Sequence, residues 1–291
     1  MSIQWFPGHM AKARREVTEA LKLVDVVIEI VDARLPVSSR NPMMAEITQN
    51  KPIVIVLGKA DMADDTMTAL FRDQWKKSLH VPVVAVDNLH GQGMNILIEA
   101  AKQATAEKFA KMAKKGIRRK TIRAMVVGIP NVGKSTMINR LAKRSATKTG
   151  DKPGVTKQQQ WIKVGQELEL LDTPGILWPK FDDRDVALRL AWSGAIKSTL
   201  LESQELALEL LSWLNRQYPQ ALQNRYQFSS MTMTSGEMLL EIGAKRVAKK
   251  AQDVIDVERA AELVLRDVQT GLLGRITFDE LTMRESLGDQ P

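Results

Sequence analysis

Arg123-Ala124-Met125-Val126-Val127-Gly128-Ile129-Pro130-Asn131-Val132-Gly133-Lys134-Ser135 is the stretch on which the reading of the whole chain turns. Ala124–Val127 is a short apolar run of the kind that forms a buried strand, and Ser135 to Lys143 is helix-prone. Between them, Gly128–Ser135 matches G-x-x-x-x-G-K-[ST] in full. A strand that aims such a loop, glycines that let backbone N–H groups turn inward and a helix whose positive end faces the loop together make a phosphate site. The loop and first helical turn, Asn131, Val132, Gly133, Lys134, Ser135 and Thr136, are the expected phosphate-binding residues. Lys134 would neutralise the β- and γ-phosphates, and Ser135 would ligate Mg²⁺.

Downstream, Asp172-Thr173-Pro174-Gly175 closes an apolar run, 37 residues beyond Ser135. An aspartate so placed reaches Mg²⁺, and the Gly175 N–H can touch the γ-phosphate. Thr156, in the polar loop Lys148–Thr156, is placed to ligate Mg²⁺ only while the γ-phosphate is present. A base-specifying loop of the type Asn-Lys-x-Asp is missing after Asp172. Its nearest match, Gly58-Lys59-Ala60-Asp61, lies upstream, at the end of the most apolar strand candidate, Pro52–Leu57. Lys59 would lay its stem on the base. The Asp61 carboxylate would accept from guanine N1–H and the 2-amino group, a pair that adenine does not offer.

Base loop, then phosphate loop, then Asp-Thr-Pro-Gly is an order that resembles a circularly permuted GTPase. The opening Trp5-Phe6-Pro7-Gly8-His9-Met10, taken with Asp172-Thr-Pro-Gly-Ile-Leu-Trp-Pro179, resembles the ribosome biogenesis GTPase A family. The resemblance implies GTP and GDP as ligands, Mg²⁺ and K⁺ as cofactors and a large ribosomal subunit precursor as partner. Two positions depart from the usual patterns. Position 58 is glycine where the family has asparagine, and the base-backing Ser-Ala element is reduced to Asp87-Asn88-Leu89, so Asp87 and Asn88 are the candidates there. Ile176 follows Gly175, where Ras-like proteins carry a water-orienting glutamine; the family shares this feature. His9 is the candidate to supply the missing polar contact; it reads equally as a helix cap or an rRNA contact. Asn131 resembles the asparagine of potassium-activated GTPases and reads also as a loop-stabilising residue.

The remaining pattern alternates strands and helices from Val26 to Leu171, which predicts a doubly wound, mostly parallel sheet. Helices are predicted near 10–23, 43–49, 65–78 and 94–115, and a hairpin at 160–171. Beyond Pro179 only helical patterns remain, near 186–191, 202–217, 235–251 and 254–270, with 276–281 a strand or an extended tail. The expected architecture is a permuted α/β P-loop GTPase domain over 1–180, with an N-terminal segment 1–23. A smaller all-α domain over 181–291, contacting RNA, would follow it.

Residues 1–180 hold 29 Lys+Arg and 17 Asp+Glu, net +12, whereas 181–291 hold 13 and 17, net −4. The basic front fits a polyanionic partner. Thr105–Arg123 carries eight basic residues against Glu107 and includes Lys114, Lys115, Arg118 and Arg119. That run reads either as a solvated helix end and linker or as a phosphate-backbone contact. Lys245, Arg246, Lys249 and Lys250 would form one basic helical face, favoured as an RNA contact. The absence of cysteine excludes disulfides and thiolate chemistry. No signal-peptide core opens the chain and no apolar run approaches ~18 residues, so a cytoplasmic monomer without membrane contact is expected. The rival functional reading is a nucleotide-gated rRNA-binding protein with negligible hydrolysis.

Overall fold

The computed structural model describes residues 15–48, 51–117, 121–145, 160–172, 183–196, 203–247 and 255–281. They divide into two compact units. The first runs to Phe181 and takes up the chain again from Thr277; the second is Asp182–Ile276.

In the first unit a helix α1 (residues 15–21) leads into β1 (Val26–Asp32), α2 (Met43–Thr48) and β2 (Ile53–Gly58). A 3-10 turn (Ala60–Met62), α3 (Asp65–Ser78), β3 (Val83–Val86) and α4 (Met94–Lys114) follow. Then come β4 (Ile122–Val127), α5 (Lys134–Ser145), β5 (Gln160–Val164) and β6 (Leu168–Asp172). The sheet order is β3-β2-β1-β4-β6-β5. Every pairing is parallel except the predicted hairpin, β5 on β6.

Every residue of β1 is buried, so both faces of the sheet are covered there, and the strand is apolar apart from Asp32 at its end and Glu29, which is paired with Arg40 (3.3 Å). Val17, Ala20 and Leu21 of α1 pack with Met44 and Ile47 of α2 on Val27, Met125, Val127 and Leu171. Phe71 and Trp75 of α3 pack on Val31, Ile55, Leu57 and Val83. The strand order reverses between β1 and β4, and at that switch point loops leave two neighbouring strands in different directions. The phosphate loop starts there.

The second unit contains α6 (Arg184–Trp192), α7 (Ser203–Gln217), α8 (Pro219–Tyr226), α9 (Ser235–Arg246) and α10 (Val257–Gln269). The leucine and methionine stripes of α7 and α9 are core, as their spacing predicts. A Thr234–Glu237 capping box opens α9. The helix predicted to reach 251 stops at Arg246, because Val247 turns to an extended conformation.

One domain expectation is corrected. The all-α region ends at Ile276, and residues 277–281 lie on the first unit as an extended strap. Phe278 N–H donates to Arg34 O (2.6 Å), and Thr277 Oγ1 accepts from Asp64 N–H (3.1 Å). The Asp279 carboxylate accepts from Ser38 N–H (2.8 Å) and Ser38 Oγ–H (2.6 Å). Phe278 and Asp279 are both buried by these contacts. Backbone pairing and side-chain burial on loops distant in sequence fix the segment there.

Candidate nucleotide site

The phosphate loop connects β4 to α5 between two parallel neighbours, β1 and β6. Its conformation needs the residues it has. A Cβ on Gly128 would lie 2.3 Å from Ile30 O, and Gly133 (φ 100°) and Asn131 (φ 60°) occupy the left-handed half of backbone space. Asparagine tolerates that region better than other side-chain-bearing residues, which accounts for Asn131 without any ligand. Lys134 is buried and folds back over its loop, donating from Nζ to Gly128 O (2.9 Å) and Ile129 O (2.7 Å). Ser135 and Thr136 are exposed in the first turn of α5, where helix geometry leaves backbone N–H groups without intrahelical acceptors. Val132 is buried and acts through its backbone.

The β4–β6 register sets Asp172 beside Val126, so Asp172 ends its strand next to the phosphate loop. Its side chain, and His9, Thr156, Gly175 and Ile176, lie outside the described residues. Mg²⁺ suits the donor set: a hydroxyl on α5 and a carboxylate residue at the adjacent strand end are hard oxygen ligands. Among the described residues no group of three His, Asp or Glu is arranged to hold a metal.

The base loop leaves β2 beside β1, with Gly58 opposite Asp32. Lys59 adopts φ 56° and starts the 3-10 turn that carries Asp61. Its ammonium is drawn to Asp32 Oδ2 (3.0 Å). Asp32 also takes Arg34 on both oxygens, Nε at 3.0 Å and Nη2 at 2.8 Å, and Arg34 is itself fully buried. Burial raises the Asp32 pKa, but the Arg34 and Lys59 charges outweigh it and hold the carboxyl at about 2. Burial pushes the Lys59 ammonium below its usual range, with Asp32 opposing. Asp61 adds its field to both cations. This Asp32–Arg34–Lys59 cluster fixes the base loop, and sequence reasoning missed it. The available signal was Asp-Ala-Arg at the end of an apolar strand, the same place in a strand that the base loop occupies.

Asp87 and Asn88, both assigned to the base from sequence, separate in role. The Asp87 carboxylate turns into its own loop, accepting from Leu89 N–H (2.7 Å), His90 N–H (2.8 Å) and the His90 ring (Nδ1 at 2.6 Å). Burial works against its ionisation, but the hydrogen bonds from His90 and Leu89 hold its pKa below the usual carboxylate range. Asn88 points the other way, towards Gly133. A Cβ built on Gly133 would lie 2.6 Å from Asn88 Nδ2 and 4.0 Å from Lys59 Cγ. Phosphate loop, base loop and the loop after β3 therefore converge on one point.

Among the basic residues, Lys108 bonds to buried Asp25 (2.6 Å) and Lys111 pairs with Glu107, both structural ties. Lys114 and Lys115 end α4 exposed; Arg118 and Arg119 lie outside the described residues. Of the four residues of the expected basic face, Lys245 and Arg246 close α9, and Lys249 and Lys250 lie outside the described residues. Lys245 Nζ donates to Gln227 O and Arg246 Nη2 to Arg225 O. Arg246 also lines a surface groove with Val247, Arg259, Glu262, Leu263 and Arg266.

Sheet order, converging loops and motif sequence define a circularly permuted P-loop GTPase. A family model described as "50S ribosome-binding GTPase" matches residues 123–228. The chain is 53% identical over 290 residues to "Ribosome biogenesis GTPase A" of Bacillus cereus, covering 100% of this chain and 97% of that protein. It is 51% identical over 280 residues to the protein of the same name from Bacillus licheniformis, covering 96% and 99%. Among solved structures, GNP-bound YlqF from T. maritima superposes with a TM-score of 0.64 at 25% identity, over 92% of this chain and 97% of that one. The chain belongs to the ribosome biogenesis GTPase A family.

Proposed function

We propose that this GTPase docks on a maturing large ribosomal subunit in its GTP state and leaves when GTP is hydrolysed. The observation that carries the reading is the convergence of Gly133, Lys59 and Asn88 beside the base-reading loop. It joins the nucleotide elements of a chain whose relatives are named for ribosome biogenesis. The loop after β6 is followed directly in sequence by the helical unit, so a loop that responds to the γ-phosphate is also the lead-in to a second unit.

In hydrolysis, water attacks the γ-phosphorus, the bond to the β–γ bridging oxygen breaks, and GDP and phosphate leave. Lys134 would move from its own loop carbonyls to the phosphates. Ser135, Thr156 and Asp172 are the residues that would hold Mg²⁺, and Mg²⁺ would offset charge on the phosphate oxygens. Asn131 is the candidate for a K⁺ contact. Ile176 cannot orient water, so turnover is slow in the isolated protein and rises on the particle, with His9 as the group that completes the site there.

Exposed Lys114 and Lys115, with Arg118 and Arg119, offer contacts to rRNA phosphates in the first unit. In the second, the arginine groove does so together with Lys245, Lys249 and Lys250. The protein works as a cytoplasmic monomer.

Phosphate release measured with and without large ribosomal subunits tests this reading. It expects stimulation in the wild type, and a loss of tenfold or more of that stimulation in His9→Ala, with GTP affinity and particle binding retained. A His9→Ala protein that hydrolyses normally but no longer sediments with the particle makes His9 a docking residue. Gly58 and Ile176 favour the second reading, a gated rRNA-binding protein; absence of phosphate release under every condition would select it.

A further inference from the structure

Position 58 is more than an omitted asparagine. A Cβ there would point at Val132 O (3.2 Å), the direction from which a side chain could brace the phosphate loop, but Ile30 Cδ1 and Cγ1 already stand 3.0 and 3.1 Å from it. The space has been refilled with hydrocarbon, so the polar contact has to come from elsewhere. The parallel register sets Gly58 against Val86, and two residues beyond Val86 the chain reaches Asn88. The Asn88 carboxamide arrives at the phosphate loop one residue past Val132, at Gly133.

That carboxamide is 94% buried, since Asn88 is only 6% exposed, and neither its nitrogen nor its oxygen has a hydrogen-bond partner among the described residues. Buried amides of this kind are costly and rarely left unmatched without a reason. Nor is the side chain adrift. The Asp87 carboxylate closes the loop on either side of it through Leu89 and His90, and Asp87 N–H is tied to Gln92 O (3.1 Å). A polar group is held ready where three nucleotide loops meet.

We infer that Asn88 takes over in this chain the part that Gly58 leaves open, donating from its carboxamide to the O6/N7 edge of the guanine ring while bearing on the phosphate loop at Gly133. The inference rests on the guanine-nucleotide reading proposed above. Asp61 supplies an acceptor to the N1–H and 2-amino edge. The opposite edge of guanine presents only acceptors and calls for a donor, which a carboxamide NH₂ provides. The two side chains then bracket the ring from opposite edges: Asp61 carries the choice of guanine, and Asn88 adds affinity at the O6/N7 edge.

The test is calorimetry on the full-length protein with GDP, ADP, 7-deaza-GDP (N7 replaced by CH) and 6-thio-GDP (O6 replaced by sulfur). In Asn88→Ala, GDP binds about tenfold more weakly, the order expected for one buried polar contact. The combined penalty of the two analogues shrinks by the same factor. Asn88→Asp, which keeps the shape but puts an acceptor where the donor was, weakens GDP at least as much. The melting temperature of nucleotide-free Asn88→Ala is no lower than that of the wild type, since the amide has no partner to lose. The inference is overturned if Asn88→Ala binds GDP like the wild type, or if GDP weakens while both analogue penalties keep their size. Equal wild-type affinity for GDP and ADP is a different result: it removes the guanine reading itself and this inference with it.

Discussion

Asp61 and Asp32 are both carboxylates at the ends of neighbouring strands, and their surroundings assign them opposite tasks. Asp61 is half-buried on the 3-10 turn and is the proposed base reader; Asp32 is enclosed by Arg34 and Lys59. Asp61→Asn should therefore turn preference from guanine towards xanthine nucleotides, read by competition between GDP and XDP. An unchanged GDP preference would remove Asp61 from base recognition. Asp32 bears on pH. Its carboxyl is held at about 2 against an ordinary 3.8, so its folded pKa lies below its unfolded one. Its stabilisation is complete above about pH 4 and is lost as the pH falls from there through 2, a span worth on the order of 2 kcal/mol. Asp32→Asn should flatten that part of the acid-unfolding curve followed by circular dichroism. At neutral pH it should cost about 3–5 kcal/mol, because two cations are left without their counter-charge.

At the scale of elements, the strap 277–281 makes, among the described residues, the hydrogen bonds of longest sequence separation in the first unit. Phe278 is fully buried, and Asp279 satisfies two donors of Ser38. Phe278→Ala should lower stability by about 3–5 kcal/mol. Asp279→Ala should cost about 1–3 kcal/mol by leaving the Ser38 donors unmatched. Urea midpoints monitored through Trp75, which packs in the same cluster as Leu281, would register both changes. A midpoint unchanged by either substitution would mean that the strap contributes nothing to the fold.

The same strap marks the limit of what the sequence discloses. The strands and α3 were legible because their signals are local: apolar runs of strand length, and a helix with Asp64 at its cap and Lys76 and Lys77 in its last turn. The phosphate loop was legible because all its chemistry lies within eight consecutive residues. Ile276–Leu281 has the composition of a strand, but nothing local says that it docks on loops some 240 residues earlier. The end of α9 at Arg246, with Val247 extended, also falls inside a Lys-Arg-Val-Ala-Lys-Lys run whose helical propensity gives no stop signal. Lys59 and Asp61 could be singled out together because they are neighbours in one short motif, whereas Asp32 and Arg34 reach Lys59 from the next strand. That the Asp87 carboxylate closes its own loop could not be read in advance, because such a carboxylate and one facing a ligand look alike in sequence.

Across the whole molecule, charge is unevenly divided. Residues 1–180, which hold the nucleotide elements, carry net +12, and residues 181–291 carry −4, with Arg246, Arg259 and Arg266 lining one groove. Binding to a ribosomal particle through such groups releases counterions, so log K should fall linearly with log [salt]. Lys114→Ala with Lys115→Ala should reduce that slope by about one or two, while GDP affinity stays at the wild-type value. Loss of GDP affinity in that pair would place the effect in the fold rather than at an RNA contact.

The central claim is that guanine nucleotide gates docking on a large-subunit precursor, and co-sedimentation tests it most directly. The protein is spun with purified particles in the presence of a slowly hydrolysed GTP analogue, GDP, ADP or no nucleotide, at two salt concentrations. The account predicts that the GTP analogue brings the protein down with the particle, that GDP, ADP and no nucleotide leave most of it in the supernatant, and that doubling the salt releases it. Equal sedimentation under all four nucleotide conditions would contradict the account.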